Sequence, residues 1–303
     1  MASDETSFFG TDYADYTVIF CCRREEDRKA GGYLMQVKDK VIIVTGGSNG
    51  IGAALCRRFA REGARAVVVA DIDVQGAQAL ALEVGGLAVQ CDVAREEDVI
   101  RLVRQTEAEC GPVDLYCSNA GIIIQGLVEV SNADWQRIWE MNVMSHVYAA
   151  RAVLPGMLRR GSGGFVITAS AAGLLNQIDS TPYTATKHAA VGLAENLAIN
   201  YGDRGIQVSV ICPMAVRSLM TRNGGGIAAL DGMIEAEQVA EDLIAALDQG
   251  QFMILPHPQV KGYLQHKAAD YERWIQGMQR LRARHLPDSF AQGFPERNRA
   301  KVP

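Results

Sequence analysis

The sequence predicts an α/β fold, a single domain in which a doubly wound parallel sheet of about seven strands has helices on both faces. Short apolar runs without polar alternation recur along the chain, which is typical of strands buried on both faces of a parallel sheet. Stretches with helical spacing separate these runs. Regular alternation of strand and helix indicates the α/β class rather than segregated helices and sheets.

Each element follows from its local pattern. The apolar runs predict strands at 41–44, 66–70, 87–91, 113–117, 165–168, 208–211 and 252–255. The intervening stretches predict helices at 51–62, 74–84, 95–110, 133–159, 183–203 and 236–249. We divide the chain into a flexible N-terminal extension (1–34), the sheet domain (35–257) and a C-terminal segment (258–303). That last segment is predicted to hold a surface helix or helix pair up to residue 285, then a loose tail.

Composition narrows the classes of function. The 303 residues are 48% hydrophobic, and 30 Lys and Arg against 35 Asp and Glu give a net charge of -5. A nucleic-acid partner normally requires a basic excess, which this chain lacks. No apolar run reaches membrane-spanning length, so no membrane association is expected. The early acidic residues Asp4 and Glu5 do not fit a secretory signal, and a cytoplasmic location is expected.

A glycine-rich turn follows the first predicted strand and precedes a helix. Glycines at 46, 50 and 52 allow a tight turn and close approach to a pyrophosphate, whose charge the helix N-terminus favours. A plain tight turn is the alternative, made less attractive by the strand and helix on either side. This order indicates a Rossmann-like dinucleotide site. Its predicted cofactor-binding residues are Gly46, Ser48, Asn49, Gly50, Ile51 and Gly52.

Asp71 ends the second apolar run, 19 residues after Gly52. A carboxylate at this place can accept hydrogen bonds from the adenosine ribose hydroxyls and would repel a 2′-phosphate. No Lys or Arg stands at Asn49 or Ile72 to hold such a phosphate, so NAD is favoured over NADP. The alternative is a helix-capping or solvated aspartate.

Further motifs give the chain a specific resemblance. Its TGxxxGIG turn and Tyr183-Thr184-Ala185-Thr186-Lys187, a YxxxK motif, resemble the short-chain dehydrogenase/reductase family in its compact one-domain form. Ser170 stands 13 residues before Tyr183, as the catalytic serine of that family does. The resemblance covers roughly 37–255. It also implies roles for Asn142 in catalysis and for Asp92, Val93, Asn119, Ala120, Gly121, Val216 and Ser218 in cofactor binding.

The chain departs from the family pattern at two places. Ser118 replaces the first Asn of the NNAG motif. Met214 replaces the glycine of PGxVxT, which bears on the shape of the nicotinamide and substrate floor.

The resemblance implies alcohol–ketone interconversion with four catalytic residues. Tyr183 would act as general base or acid, and Lys187, one helical turn further, would favour its tyrosinate form and hold the nicotinamide ribose. Ser170 would donate to the substrate oxygen, and Asn142 would hold a water linking Lys187 to solvent. Taken singly, Tyr183 and Lys187 could be surface residues and Ser170 a cap. The motifs together favour catalysis.

The substrate is predicted to be a small, mainly apolar secondary alcohol or ketone. Its pocket wall is expected to include 122–127, Leu174, Leu175, Ile178, Pro182, Met214 and Met220, with a mobile lid at 221–232. An NADH-dependent ketone reductase and a non-catalytic NAD-binding regulator or scaffold are the alternatives. No HExxH spacing predicts a metal site, and His146 and His188 are expected in packing or surface roles. The resemblance implies a homodimer or homotetramer.

Overall fold

The computed structural model describes residues 34–286 and contains one parallel sheet of seven strands in the order β3-β2-β1-β4-β5-β6-β7. The strands are β1 (Val41–Thr45), β2 (Ala66–Asp71), β3 (Leu87–Gln90), β4 (Leu115–Ser118), β5 (Gly163–Thr168), β6 (Ile206–Ile211) and β7 (Met253–Ile254). The predicted fold class is confirmed, since helices cover both faces of this doubly wound, Rossmann-like sheet.

Nine α-helices lie in the described part of the chain. They are α1 (Gly50–Arg61), α2 (Val74–Val84), α3 (Glu96–Glu109), α4 (Asn132–Trp139), α5 (Ser145–Arg160), α6 (Thr181–Tyr201), α7 (Ala236–Asp248), α8 (Gln259–Ala269) and α9 (Tyr271–His285). The last two form the predicted C-terminal helix pair.

The main difference from the predicted elements lies in the long helix at 133–159. A π-helical turn at Glu140–Met144 separates α4 from α5. Hydrophobic periodicity continues through such a turn, so the pattern alone does not reveal it; π-turns often mark functional positions. β7 is also shorter than predicted, with two residues.

Two apolar cores sandwich the sheet because alternate strand residues point to opposite faces. Ile43 and Val68 pack on one side, where Tyr116 and Phe165 stack with ring centroids 5.8 Å apart. Helices α3, α5 and α6 close this core. Val44 and Val69 face the other side, against α1, α2 and α7. Burial on both faces accounts for the unbroken apolar runs in the sequence.

The strand order reverses direction between β1 and β4. The chain moves outward from β1 to β2 and β3, then crosses back to β4 on the other side of β1. The loops that leave β1 and β4 therefore separate, and they open a crevice at the carboxyl ends of the strands. Ligands of open α/β sheets bind at such a point.

The terminal predictions fall outside the described residues. The flexible extension was predicted for 1–34, of which only residue 34 is described. The loose tail was predicted to follow residue 285, and residues 287–303 lie outside the described range. Leu34 is exposed, whereas Met35 is fully buried against the sheet domain, and its backbone N–H donates to Gln207 Oε1 at 2.7 Å. Within 34–286, no helix is both long and apolar enough to span a bilayer.

Candidate active site

The glycine turn after β1 has no room for side chains at its critical positions. Gly46 and Gly50 have φ values of 64° and 54°, in the left-handed region that favours glycine. A Cβ placed on Gly52 would collide with the Gly46 carbonyl oxygen and lie 2.8 Å from Asn119 Nδ2. The first turn of α1 therefore packs directly against the loop, with its N–H groups at the crevice.

Asp71 lies at the carboxyl end of β2 with a fixed carboxylate. Its Oδ2 accepts the Ser48 N–H at 3.0 Å, and its Oδ1 accepts the Asp73 N–H at 3.0 Å. These bonds join the end of β2 to the glycine turn. Asp71 lines the crevice beside Ile72, and its contact with a ribose stays a prediction.

The loop after β4 is bound to the glycine turn by hydrogen bonds. Asn119 Nδ2 donates to the Thr45 carbonyl at 3.0 Å, while its Oδ1 accepts from Thr168 Oγ1 at 3.0 Å. Thr45 Oγ1 accepts the backbone N–H groups of Asn119 and Ala120. Asn119 thus links the ends of β1, β4 and β5. The sequence analysis did not identify Thr45 and Thr168 as its partners.

One cleft of about 530 Å³ contains most of the predicted residues. They are Gly46, Asn49, Gly50, Ile51, Asp71, Asp92, Val93, Asn119, Ala120, Gly121, Ser170, Tyr183, Lys187, Val216 and Ser218. Ser48, Gly52 and Asn142 do not line it. Eight residues of the lining were not predicted from the sequence: Ile72, Cys91, Ala94, Arg137, Met141, Thr168, Ala169 and Pro213.

Tyr183, Lys187 and Ser170 meet at one end of this cleft. Tyr183 is in the first turn of α6, where Ser180 caps the helix by accepting the Tyr183 N–H. The Ser170 side chain lies close enough to the Tyr183 hydroxyl to affect its pKa, and its own hydroxyl donates to the Pro213 carbonyl at 3.4 Å. Lys187 Nζ lies 5.6 Å from the Tyr183 ring centroid and donates to the Thr168 carbonyl at 2.9 Å. The predicted phenol, hydroxyl and amine therefore form one cluster.

The pKa of Tyr183 departs from the sequence prediction. Burial raises the pKa of the phenol above its ordinary value near 10, and the neighbouring Ser170 side chain acts in the lowering direction. Burial also lowers the pKa of the Lys187 ammonium to about 8. The hydration that the buried phenolate would lose therefore dominates the Tyr183 pKa here, and a tyrosinate favoured by Lys187 and a bound nicotinamide stays a prediction.

Asn142 lies in the π-helical turn and is fully buried behind the cleft wall. Its Oδ1 accepts the Ile122 N–H at 2.9 Å, and its Nδ2 donates to the Ile122 carbonyl at 2.9 Å and to Thr186 Oγ1 at 3.2 Å. The side chain thus clamps the loop after Gly121 to α6. The polar side-chain atoms of Asn142 all bind protein groups, and its predicted water-holding role stays a prediction.

Gly121 lets this loop approach the predicted catalytic cluster of Tyr183, Lys187 and Ser170. A Cβ there would lie 3.1 Å from Asn142 Oδ1 and 3.5 Å from Lys187 Nζ. The absence of a side chain therefore brings the loop backbone against the ammonium group and the clamp.

Ser118, the first departure from the family pattern, forms a buried pair with His146. The Ser118 hydroxyl lies 2.6 Å from His146 Nδ1, and His146 is fully buried on α5. Burial, together with the charge of Lys187, lowers the pKa of His146 to about 3. The imidazole is therefore neutral near pH 7, which agrees with the predicted packing role.

This buried histidine predicts a pH dependence of stability. A histidine in the unfolded chain has a pKa near 6.5, so below that pH the unfolded state binds the proton and the native state does not. Stability is lost as pH falls from about 6.5 towards the native pKa of about 3. Between pH 7 and 5 this single group should lower the free energy of unfolding by about 2 kcal/mol.

Urea unfolding of His146→Leu at both pH values will measure that contribution. We expect the variant to lose about 2 kcal/mol less than the unsubstituted protein over the interval. His266→Gln, a change at an exposed histidine of α8, should retain the original difference. Equal pH sensitivity in His146→Leu and the original protein would show that His146 titrates alike when folded and unfolded.

Met214, the second departure, forms part of the cleft floor. The φ angle of Met214 is not positive, so this position does not require glycine. The Met214 N–H donates to Nδ1 of the buried His257 at 3.2 Å. Of the predicted apolar wall, Ile122, Met214 and Met220 line the cleft, whereas Leu175 and Ile178 line a second cavity.

The predicted lid at 221–232 begins and ends at anchored backbone. The Arg217 N–H donates a hydrogen bond to the Ile234 carbonyl at 3.0 Å. Val216 and Ile234 form an isolated parallel β-bridge. Asp231 accepts a hydrogen bond from Tyr263 Oη at 2.9 Å. Mobility of the segment between these anchors stays a prediction. Across 34–286, no group of three His, Cys, Asp or Glu side chains is arranged for a metal ion.

Comparison with known proteins agrees with this geometry. Residues 40–225, more than half of the chain, match the family described as short chain dehydrogenase. Borneol dehydrogenase, mitochondrial, from Lavandula x intermedia is 33% identical over 74% of this chain and 90% of its own length. The 1-deoxy-11-beta-hydroxypentalenate dehydrogenase of Streptomyces exfoliatus is 33% identical over 80% of this chain and 91% of its own.

A solved structure is similar over much of the fold. A short chain dehydrogenase/reductase from Burkholderia phymatum in complex with NAD superimposes with a TM-score of 0.73 at 26% identity. The match covers 79% of this chain and 96% of that one. The chain belongs to the short-chain dehydrogenase/reductase family of oxidoreductases, which act on alcohol and carbonyl groups.

Proposed function

We propose that this protein is an NAD-dependent oxidoreductase that interconverts a secondary alcohol and a ketone on a mainly apolar substrate, with Tyr183 as general base or acid. One observation carries the proposal. Tyr183, Ser170 and Lys187 line the same cleft as the glycine turn and Asp71. A proton-transfer group and a dinucleotide cradle in one cleft are what hydride transfer requires.

The residues of the cleft fit a dinucleotide. Gly52 has no room for a Cβ, so the backbone of the glycine turn packs tightly at the start of α1. Backbone N–H groups at such a helix N-terminus are suited to bind a pyrophosphate. Asp71 would accept the adenosine ribose hydroxyls, with Asp92 and Val93 near the adenine, and Lys187 would hold the nicotinamide ribose. The bound nicotinamide supplies the hydride acceptor in alcohol oxidation and the hydride donor in ketone reduction.

Ser170 and Tyr183 act on the substrate oxygen. In the oxidative direction Tyr183 Oη takes the hydroxyl proton, while Ser170 Oγ donates a hydrogen bond to the oxygen as its charge changes. Both side chains line the same cleft, so both can reach one substrate oxygen. In the reductive direction Tyr183 returns the proton to the oxygen.

Lys187 is suited to exchange protons near neutral pH because burial lowers its pKa to about 8. Its Nζ is held in place by the Thr168 carbonyl, next to Gly121 and beneath the Tyr183 ring. We assign to Lys187 the transfer of the proton between Tyr183 and the exterior, and to Asn142 the positioning of the neighbouring loop.

The substrate region is mostly apolar, with Ile122, Met141, Met214 and Met220 on its walls. Borneol, after which one relative is named, is a secondary alcohol on a hydrocarbon frame. We therefore propose a cyclic apolar secondary alcohol or its ketone as the substrate class. Among the described residues that line the cleft, the cationic side chains are Lys187 and the exposed Arg137.

The direct test measures turnover by the absorbance of NADH. A panel of cyclic secondary alcohols is assayed with NAD, and the matching ketones are assayed with NADH. Oxidation or reduction of apolar members supports the proposal, and the ratio of the two rates distinguishes a dehydrogenase from a ketone reductase. NAD binding without turnover on the whole panel would favour a non-catalytic regulator.

Asp71 should determine cofactor preference. Asp71→Asn removes the charge and also one of the two carboxylate oxygens that accept the Ser48 and Asp73 N–H groups. We expect it to raise the ratio of kcat/KM for NADP to kcat/KM for NAD about tenfold, because repulsion of the 2′-phosphate is lost. Asp73→Asn is the matched control, since Asp73 is exposed and caps α2 by accepting the Gly76 N–H at 3.1 Å. An unchanged ratio in Asp71→Asn would refute the ribose assignment.

We also propose a homodimer or homotetramer formed through the long helices, as the family resemblance implies. Ile199 on α6 is 78% exposed and Trp139 at the end of α4 is 39% exposed, so both helices present apolar side chains. Sedimentation equilibrium will measure the assembly, and a monomer at micromolar concentration would contradict it.

A further inference from the structure

A second cavity, of about 390 Å³, lies away from the catalytic cluster, between the loop at 175–178 and the C-terminal helices. Its apolar wall comes from both sides. Leu175 and Ile178 belong to the loop, and Tyr271, Trp274, Ile275 and Met278 belong to α9. The volume is in the range of small-molecule sites.

A buried cation lies in this wall. Lys267 of α8 is only 8% exposed, and its Nζ donates to the Leu174 carbonyl at 2.6 Å and lies 5.3 Å from the Tyr271 ring centroid. No carboxylate in residues 34–286 forms an ion pair with it. Burying an ammonium without an opposite charge is costly, so this group has unused capacity to bind an anion.

Arg282 on α9 adds a second cation to the lining, and no acidic residue lines the cavity among the described residues. The other polar lining residues are Asn176, Gln279 and His188. His188 Nδ1 donates to the Thr184 carbonyl at 2.9 Å. The cavity therefore combines an apolar body with a cationic side.

The loop wall also contains an unusual backbone conformation. Asn176 has a φ of 118°, where residues other than glycine are strained. Thr184 Oγ1 donates to its Oδ1 at 3.3 Å and holds it. Strain of this kind is concentrated at ligand sites, which agrees with the charge and shape of the cavity.

We propose that this cavity binds a small amphipathic anion, a carboxylate on an apolar chain or ring. Lys267 holds the carboxylate, and Trp274 and Ile275 contact the apolar part. Arg282, eleven residues after Tyr271 on α9, adds positive charge further along the cavity. Charge complementarity selects this occupant, since a neutral apolar molecule would leave the Lys267 ammonium buried without a counter-charge. The site is separate from the catalytic cleft and does not depend on the proposed reaction.

Calorimetric titration with decanoate, against decan-1-ol as the uncharged control, tests the proposal in the full-length protein. We expect decanoate to bind at least tenfold more tightly than the alcohol. Binding should also change the fluorescence of Trp274, one of three tryptophans in the chain, and Trp274→Phe should remove that change. Neither measurement needs turnover, so failure here is distinguishable from failure of the proposed activity.

Two pairs of variants locate the anion. Lys267→Met should weaken decanoate binding at least tenfold, whereas Lys261→Met, at an exposed position of the same helix, should not. Arg282 is exposed, so Arg282→Met should not disturb folding, and we expect it to weaken decanoate binding several-fold. Arg284→Met, also at an exposed position of α9, is the control and should leave binding unchanged.

Three results would overturn the proposal. Equal affinities for decanoate and decan-1-ol would mean that no cation selects the ligand. Unchanged decanoate affinity in both Lys267→Met and Arg282→Met would place any binding elsewhere, including in the catalytic cleft. No detectable decanoate binding at millimolar concentration would contradict it outright.

Discussion

Tyr183→Phe should lower kcat/KM by roughly 10²- to 10⁴-fold, the range expected when a general acid–base group is removed. The substitution deletes one oxygen and keeps the ring that packs against Ile122 and Ala172. It adds neither atoms nor charge to the buried site, so folding should be preserved. Steady-state kinetics with NAD and the best alcohol of the panel will measure the loss.

The Kd for NAD distinguishes catalysis from binding. Fluorescence titration of Tyr183→Phe should give an affinity for NAD within a few-fold of the original, because the glycine turn and Asp71 are untouched. Tyr201→Phe, a change at the other end of the same helix, should retain full turnover. Retained turnover in Tyr183→Phe would show that another group transfers the proton.

Gly52→Ala should raise the Kd for NAD roughly 100-fold. The added methyl group collides with the Gly46 carbonyl oxygen and lies 2.8 Å from Asn119 Nδ2, so the turn, the start of α1 and the loop after β4 must all shift. Overpacking against backbone costs about 3 kcal/mol at the upper end of the usual range. The free protein relieves this strain by shifting the turn, and NAD must restore the original turn on binding, so the cost is taken from binding and corresponds to about two orders of magnitude in affinity.

Gly192→Ala is the matched glycine control. Gly192 is exposed in the middle of α6, and a Cβ there meets nothing within 4 Å. The change should leave NAD affinity unchanged and stabilise the helix by up to about 1 kcal/mol. An NAD affinity of Gly52→Ala equal to that of the original protein would mean that the pyrophosphate does not bind at this turn.

Local patterns in the sequence were enough for most of the fold. Unbroken apolar runs such as 41–44 reflect burial on both sheet faces, and helix 74–84 is observed with the predicted bounds. The π-helical turn at Glu140–Met144 was missed because one extra residue in a helical turn hardly alters hydrophobic periodicity. It nevertheless determines where Asn142 points.

Spacing also predicted which residues gather at the cleft. Tyr183 and Lys187 are four residues apart on α6, so their proximity is a local property, and the glycine turn is likewise encoded within eight residues. Joining those segments required only the rule that parallel strands present their carboxyl ends to one crevice.

The sequence by itself determined the order of strands and helices, the glycine turn and the Tyr183–Lys187 pair, since each depends on residues near one another in the chain. Tertiary structure alone decided the raised pKa of Tyr183, the clamp made by Asn142 and the cavity around Lys267. Desolvation and long-range hydrogen bonds depend on which distant segments surround a group. Lys267 contacts Leu174, a residue 93 positions away, and no local period encodes that meeting.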